Sequence, residues 1–570
     1  MNSIRPNHLQ STLRSRAALV ALLAPLLPII GCGADQSVVP PLDALDLIDE
    51  NGLADRTRTL SSDEFEGRGP ATEGERRTVE FLTSELRELG LQPGNDDSWV
   101  QSVPLVSIEA NPDMTLEVDG DRTNMSFRYG DDFMAWTKRV IDRSSIDASE
   151  MVFVGYGVVA PEYGWDDYAG VDVEGKTVVI LVNDPGFATG DTERFNGRSM
   201  TYYGRWTYKY EEAARQGAAA ALVIHEPEPA GYPWEVVEGS WSGPQFGLVS
   251  SDANLSRLAI EGWLSHDAAR AIFDAAGLDL GAVSQGAATP EFEAVSLGLT
   301  AGMEIRNRVE RSTSDNVVAV LPGSTRPDEF VTYMAHWDHL GRDDSLEGDG
   351  IYNGALDNAT GTAGLLEIAE AFASLDPPPA RSIVFLAVTA EEQGLLGSAY
   401  FGQNPTQPLD RTVAAINMDG LNTVGPMHDI TVIGLGNSDL DDYLTEAASA
   451  YDRVVRPDPE PEKGFFYRSD HFNFAVQGVP ALYTDSGIDH VEYGEEYGRR
   501  KREEYTAERY HKPSDEFDEE WDLGGAVDDL RLLFEVGYRL AQESSWPNWR
   551  DGNEFRARRD EMMGNRGGGS

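Results

Sequence analysis

Downstream of residue 315, apolar runs that read as strands alternate with runs of helical periodicity, and three of the apolar runs end in or directly before His, Asp or Glu. The strands are "NVVAVLPG", "FVTYMAH", "SIVFLAVTA", "VAAINMDG" and "DITVIG". The helical stretches between and after them include "GTAGLLEIAEAFASL", "SDLDDYLTEAASAY" and "AVDDLRLLFEVGYRLAQE". Such alternation predicts an α/β domain with a mixed, largely parallel sheet flanked by helices. In sheets of this kind ligands gather at the carboxyl ends of the strands.

The residues expected at those ends, or in loops that fold over them, are His336 and Asp338 in "FVTYMAHWDHLG", Asp357 in "GDGIYNGALDNATG", Glu391 and Glu392 in "AVTAEEQG", Asp419 in "AAINMDG" and His511 in "RYHKPSD". In extended geometry His336 and Asp338 point to one side and His339 to the other. Each residue has an ordinary structural reading by itself, as a core histidine, a helix cap or a turn former. Thr389 and Glu392, for example, have the S/T-x-x-E spacing of a capping box. Together they form an N/O donor set suited to zinc or a similar divalent ion.

Two metals roughly 3.5–4 Å apart can share one carboxylate, polarise a carbonyl and acidify a bridging water. Asp357, on a fixed loop, suits the bridging role. His336 and Asp419 would complete one metal site, Glu392 and His511 the other. Asp338 is placed to accept the second ring N–H of His336. Adjacent residues diverge at a strand end, so Glu392 can face a metal while Glu391 faces the water as general base.

The motifs "AHWDHLG", "GALDNATG", "AEEQGLLGS", "NMDG", "SDH" and "YHKPSD", in this order over most of residues 300–520, resemble the M28 family of zinc exopeptidases, with further support from "GRGPATEGER" upstream. The resemblance implies a dizinc site of His336, Asp357, Glu392, Asp419 and His511, with Glu391 as base and Asp338 as the carboxylate behind His336. It also implies a cis peptide between Asp357 and Asn358, and a role for Tyr510 toward the developing oxyanion. Asp470 and His471, in "YRSDHFNF", are expected to line the site.

Residues 145–290 change character, with short apolar strands broken by Gly- and Pro-rich loops. "VFVGYGVVAPEYGWDDYAGVDVEGKTVVIL" and "KYEEAARQGAAAALVIH" resemble a protease-associated domain, which implies a lid over the catalytic cleft. Its aromatic residues Tyr202, Tyr203, Trp206, Trp234 and Trp241 are expected mostly to pack within it. The remaining organisation is a peptidase-like domain at 43–144 and 291–548, a tether at 32–42 and a disordered polar tail at 549–570.

At the N-terminus Arg5, Arg14 and Arg16 precede the apolar run "AALVALLAPLLPIIG" and then Cys32, the only cysteine of the chain. This reads as a signal peptide (1–31), and "IIGC" resembles a bacterial lipobox. Export, with a lipid on Cys32 anchoring the chain at the cell envelope, is the expectation. The formal net charge of −51 excludes nucleic acid as a partner, since phosphate binding needs clustered Lys and Arg.

The expected function is a dizinc metallo-aminopeptidase acting on peptide substrates. The alternatives are a Glu-type metallo-carboxypeptidase, for which Arg468, Arg499, Arg500 and Arg502 are the candidate substrate-binding cations, and a non-catalytic metal-bearing surface binding protein. A one-zinc glutaminyl cyclase fits less well, because His336 and Asp419 preserve a second metal position.

Overall fold

The computed structural model describes residues 38–567, so the signal peptide, Cys32 and most of the tether lie outside the described residues. The strands Arg381–Val388, Arg326–His336, Thr412–Asn417 and Ala481–Ser486 lie side by side, all parallel. Their side chains alternate between two cores, as buried strands require. Val331, Tyr333, Ala335, Ile383, Phe385 and Ala387 face the helices Gly361–Ala373 and Gly524–Gln542. Met334, Val384, Leu386 and Val388 face the helix His471–Val476 and Trp549. Helices therefore cover both faces, and the near-continuous apolar strands are buried on both sides.

The strands Val295–Leu321 and Val100–Ala110 extend this sheet antiparallel beyond Arg381–Val388. Val295–Leu321 is unusually long. Its first half pairs with Arg143–Phe153 and Thr115–Gly120 in a second sheet, and its second half belongs to the peptidase-like sheet. The second sheet continues through the parallel strands Thr177–Leu181, Ala220–Ile224 and Ile260–Leu264. It has its own two cores.

Two expected boundaries change. The second sheet already contains Thr115–Gly120, Thr123–Arg128 and Phe133–Trp136, so the inserted unit starts well before residue 145. It also returns one strand, Pro244–Leu248, to the edge of the peptidase-like sheet beside Val100–Ala110. Strand patterning looks alike in both sheets, and only pairing reveals which sheet a strand joins.

The expected disordered tail is instead a structured segment with a helix at Arg556–Gly567. Trp549 is fully buried with its indole N–H on the Gly478 carbonyl, and Arg559 donates to the carbonyls of Thr412 and Val413. A few well-spaced anchors order a stretch whose average composition is polar.

Candidate metal centre

The strand Arg326–His336 ends at His336 itself, and the chain then leaves extended geometry through Trp337–His339. His336 Nε2 stands 3.1 Å from Asp419 Oδ1 and 3.4 Å from Asp357 Oδ1. On the other side, His511 Nε2 stands 3.3 Å from Asp357 Oδ2 and 3.1 Å from Glu392 Oε2. Asp357 thus offers one oxygen to each histidine, the arrangement of a bridging carboxylate.

The Asp357 loop is held from several directions. Asp515 accepts the backbone N–H groups of Leu356 and Asp357. The Asp357–Asn358 peptide bond is cis, and Asn358 bonds to the Met418 carbonyl and the Gly420 N–H. Asp357 and Asp419 are thereby tied together across strand ends. Ser469 donates to Asp419 Oδ2 at 2.6 Å and accepts from Asn417.

Arg68, fully buried, stabilises the loops beneath. It donates to the carbonyls of Trp337, Leu60, Asn353 and Gly354, and so crosslinks the segments around His336 and Asp357. The sequence hint was "GRGP"; its role needed the fold.

Asp338 departs from its expected role. The His336 Nδ1 partner is the backbone carbonyl of Asp338 at 3.2 Å, and the carboxylate lies 3.9 Å away. The Asp338 carboxylate accepts instead the backbone N–H of Glu391, at 3.1 Å. The turn after His336 rotates the side chain toward the next strand end.

The capping box is absent as well. Thr389 Oγ1 pairs with Ser314, and the helix begins only at Leu396. Glu392 is drawn instead to His511 and to His339, whose Nδ1 is 2.6 Å from Glu392 Oε1. His339 was not among the expected site residues, because extended alternation placed it opposite. Gly354, at φ +52, admits its ring: a Cβ there would lie 2.5 Å from His339 Cγ.

Glu391 is the uncommitted member. Its carboxylate has no hydrogen-bond partner among the described residues, yet it clusters with His336 and Glu392. Burial raises its pKa well above the ordinary range, with Asp419 and Glu392 reinforcing the shift against His336. Glu392 goes the other way, because His339 and His511 outweigh its burial. Two adjacent carboxylates therefore differ in proton affinity, as an acid/base and a ligand should. The histidines report the same field: burial alone would lower His511, but Glu392 and Asp357 lift it to about 10.

The donor set fits a pair of divalent cations. Asp357, Glu391, Glu392 and Asp419 crowd together with no Lys or Arg paired to any of them among the described residues, and their donor atoms fall in groups with His336 or His339 within 4.8 Å. Carboxylates gathered in a buried place require positive charge, and imidazole plus carboxylate donors suit zinc.

Tyr510 lies on the cleft with its ring stacked on His511, centroids 3.8 Å apart. Asp470 and His471 do not line that cleft. Asp470 accepts from Ser398 behind the site, and His471 is buried between Phe466 and Tyr483. The cleft of about 880 Å³ is bounded by Glu391, Glu392, Tyr510 and His511 on one side and by the inserted unit on the other. Trp206 and Trp241 of that unit face it, whereas Tyr202 and Tyr203 pack with Tyr208 and Trp234 bonds to Gly130.

The model of peptidase family M28 matches residues 316–534, the stretch carrying every residue of this centre. That segment is an M28 peptidase domain. Mouse aminopeptidase NAALADL1 is 38% identical to the chain over 122 residues, 20% of this chain and 15% of the mouse protein. The glutamate carboxypeptidase 2 homolog of Caenorhabditis elegans is 35% identical over 122 residues, covering 20% and 14% respectively. The chain thus spans a small part of these relatives. Among solved structures, the aminopeptidase from Aneurinibacillus sp. strain AM-1 matches 88% of this chain and 96% of its own at 17% identity and a TM-score of 0.49.

Proposed function

We propose that this chain is a dizinc metallo-aminopeptidase that removes N-terminal residues from peptides. The observation that carries the reading is Glu391: a half-buried, unpartnered carboxylate on the cleft, beside a donor set in which Asp357 faces two histidines. His336, Asp357 and Asp419 would hold one zinc, and Asp357, Glu392 and His511 the other. Bound zinc supplies Lewis acidity toward the scissile carbonyl and acidifies the attacking water.

Glu391 takes the proton of that water and passes it to the leaving amine, a transfer favoured by a raised pKa. Its own backbone is fixed by the N–H bond to Asp338. Tyr510, which lines the cleft with its ring stacked on His511, would donate its hydroxyl to the developing oxyanion. The inserted unit acts as a protease-associated lid that limits access of water and of large substrates. Export, and a lipid on Cys32, would keep the enzyme at the cell envelope; mass spectrometry of the mature N-terminus tests that part.

The activity is tested on the zinc-loaded full-length protein with aminoacyl p-nitroanilides and with N-blocked dipeptides ending in Glu. Release from free-amine substrates, lost in Glu391→Gln with zinc still bound, supports the aminopeptidase. Cleavage of blocked substrates alone would move the assignment to a carboxypeptidase. Arg468 makes that second reading concrete, since it lines the cleft, whereas Arg499, Arg500 and Arg502 are tied to Glu495, Glu504 and Asp485.

A further inference from the structure

The strand Pro244–Leu248 is an edge: among the described residues it pairs with Val100–Ala110 alone. The backbone groups it leaves open follow from the next pairing in. Val318 donates to the Trp99 carbonyl and Asn111 to the Arg306 carbonyl, at the two ends of an unbroken register, so the odd-numbered residues of Val100–Ala110 bond to Val295–Leu321. Val106 and Ile108 therefore bond the other way, to Gly247 and Gln245. Phe246 and Leu248, alternating with them, turn their N–H and C=O groups outward.

The outward edge carries the marks of an open one. Pro244, on the same side, has no N–H to leave unpaired, which is where a sheet tolerates proline. The carbonyls of Phe246 and Leu248 take side chains where a strand would lie, Lys138 Nζ at 3.3 Å and Asn254 Nδ2 at 3.0 Å. Their N–H groups have no partner among the described residues. An edge in this state is a template for another strand.

It lies in the catalytic cleft, because residues 245–250 line the same cavity as Glu391, Glu392 and His511. At one end Leu248 packs with Leu396 and Tyr400 against Ala390, the residue before Glu391. At the other, Pro244 is exposed. The strand thus runs inward toward the metal centre, and Gln245 to Leu248 span about 14 Å at ~3.4 Å per residue.

A peptide with its N-terminus at the centre leaves in the opposite sense, which is the antiparallel orientation. We propose that the portion of the substrate after the scissile bond adds as an antiparallel strand to Pro244–Leu248, paired with Phe246 and Leu248. Main-chain bonds recognise an extended backbone whatever its side chains, so the enzyme favours unstructured peptides of about four residues or more over dipeptides. The inserted unit, which contributes this strand, then selects substrate length.

The substrate identity rests on the peptidase reading; the binding test does not. Zinc-loaded full-length Glu391→Gln is titrated by calorimetry with Leu-Ala-amide and with Leu-Ala-Ala-Ala-Ala-amide, neither of which has a terminal carboxylate. The pentapeptide is expected to bind about 10-fold or more tightly, the worth of one or two added backbone hydrogen bonds. N-methylation of its nitrogens beyond the first peptide bond, one at a time, should cost about 3- to 10-fold at alternate positions and little between them, because only every second N–H of a strand faces its neighbour. Deuterium exchange over residues 245–250 should slow with the pentapeptide and not with the dipeptide.

Phe246→Pro, added to that background and checked by melting, removes an outward N–H while the pairing through Gln245 and Gly247 stays. It should cancel the advantage of the pentapeptide, whereas Phe246→Ala should keep most of it. A pentapeptide that binds no tighter than the dipeptide, N-methyl losses without alternation, or an advantage that survives Phe246→Pro overturns strand addition. If the alternation is found and the wild-type chain hydrolyses no free-amine peptide, the peptidase reading fails and the strand site stands.

Discussion

His339 Nδ1 stands 2.6 Å from Glu392 Oε1, while the other oxygen of that carboxylate faces His511 at 3.1 Å. His339 therefore fixes which oxygen of Glu392 remains for a metal, and it does so from a fully buried position. Groups that orient a ligand in this way typically contribute 10–100-fold to metal affinity. His339→Ala should weaken one of two zinc sites by about that factor and leave the other near its wild-type value, as read by zinc titration with a competing chelator.

Glu391 and Glu392 should separate cleanly on mutation. Glu391→Gln is expected to lower kcat by about 10²–10⁴-fold, the usual worth of a general base, with two zincs still bound. Glu392→Gln should instead lose zinc. Metal analysis beside single-turnover kinetics distinguishes the two, and equal zinc loss in both variants would remove Glu391 from the role of base.

His471 makes a pH prediction. Enclosed by Phe466 and Tyr483, it is lowered by burial to about 3. The folded state thus holds it neutral, and an unfolded histidine titrates near 6.5. Its contribution is complete above pH 6.5 and is lost as pH falls from there toward 3, at up to about 1.4 kcal/mol per pH unit. His471→Phe should reduce the acid slope of stability by about one proton in urea denaturation at stepped pH.

Trp549 tests the C-terminal segment. Its ring fills the core beneath the parallel sheet, close to Phe555 at 5.2 Å. Trp549→Ala should cost about 3–5 kcal/mol, seen as a lower urea midpoint. A change below about 0.5 kcal/mol, ordinary for a surface substitution, would return the segment to the status of a loose tail.

The central sheet and most of the donor set were legible because they depend on local pattern. Apolar runs such as "SIVFLAVTA" have to be buried, and the polar residues after them have to emerge at the strand ends. The extent of the second sheet was not legible, because Thr115–Gly120 and Val100–Ala110 carry the same kind of alternation and enter different sheets. The single strand Val295–Leu321 serves both, which no local window can express.

The sequence determined by itself that His336, Glu392 and Asp419 stand where strands end and loops begin, since hydrophobic periodicity is a property of neighbours along the chain; Asp357 leads instead into the helix Gly361–Ala373, and His511 follows the helix Gly494–Glu508. Only the tertiary structure decided the partners. The turn after His336 sends the Asp338 carboxylate to the Glu391 N–H and His339 to Glu392, and Arg68 binds carbonyls of loops more than 250 residues away. Side-chain direction beyond a strand end depends on backbone torsions set by distant contacts, so it is written in the fold and not in the spacing.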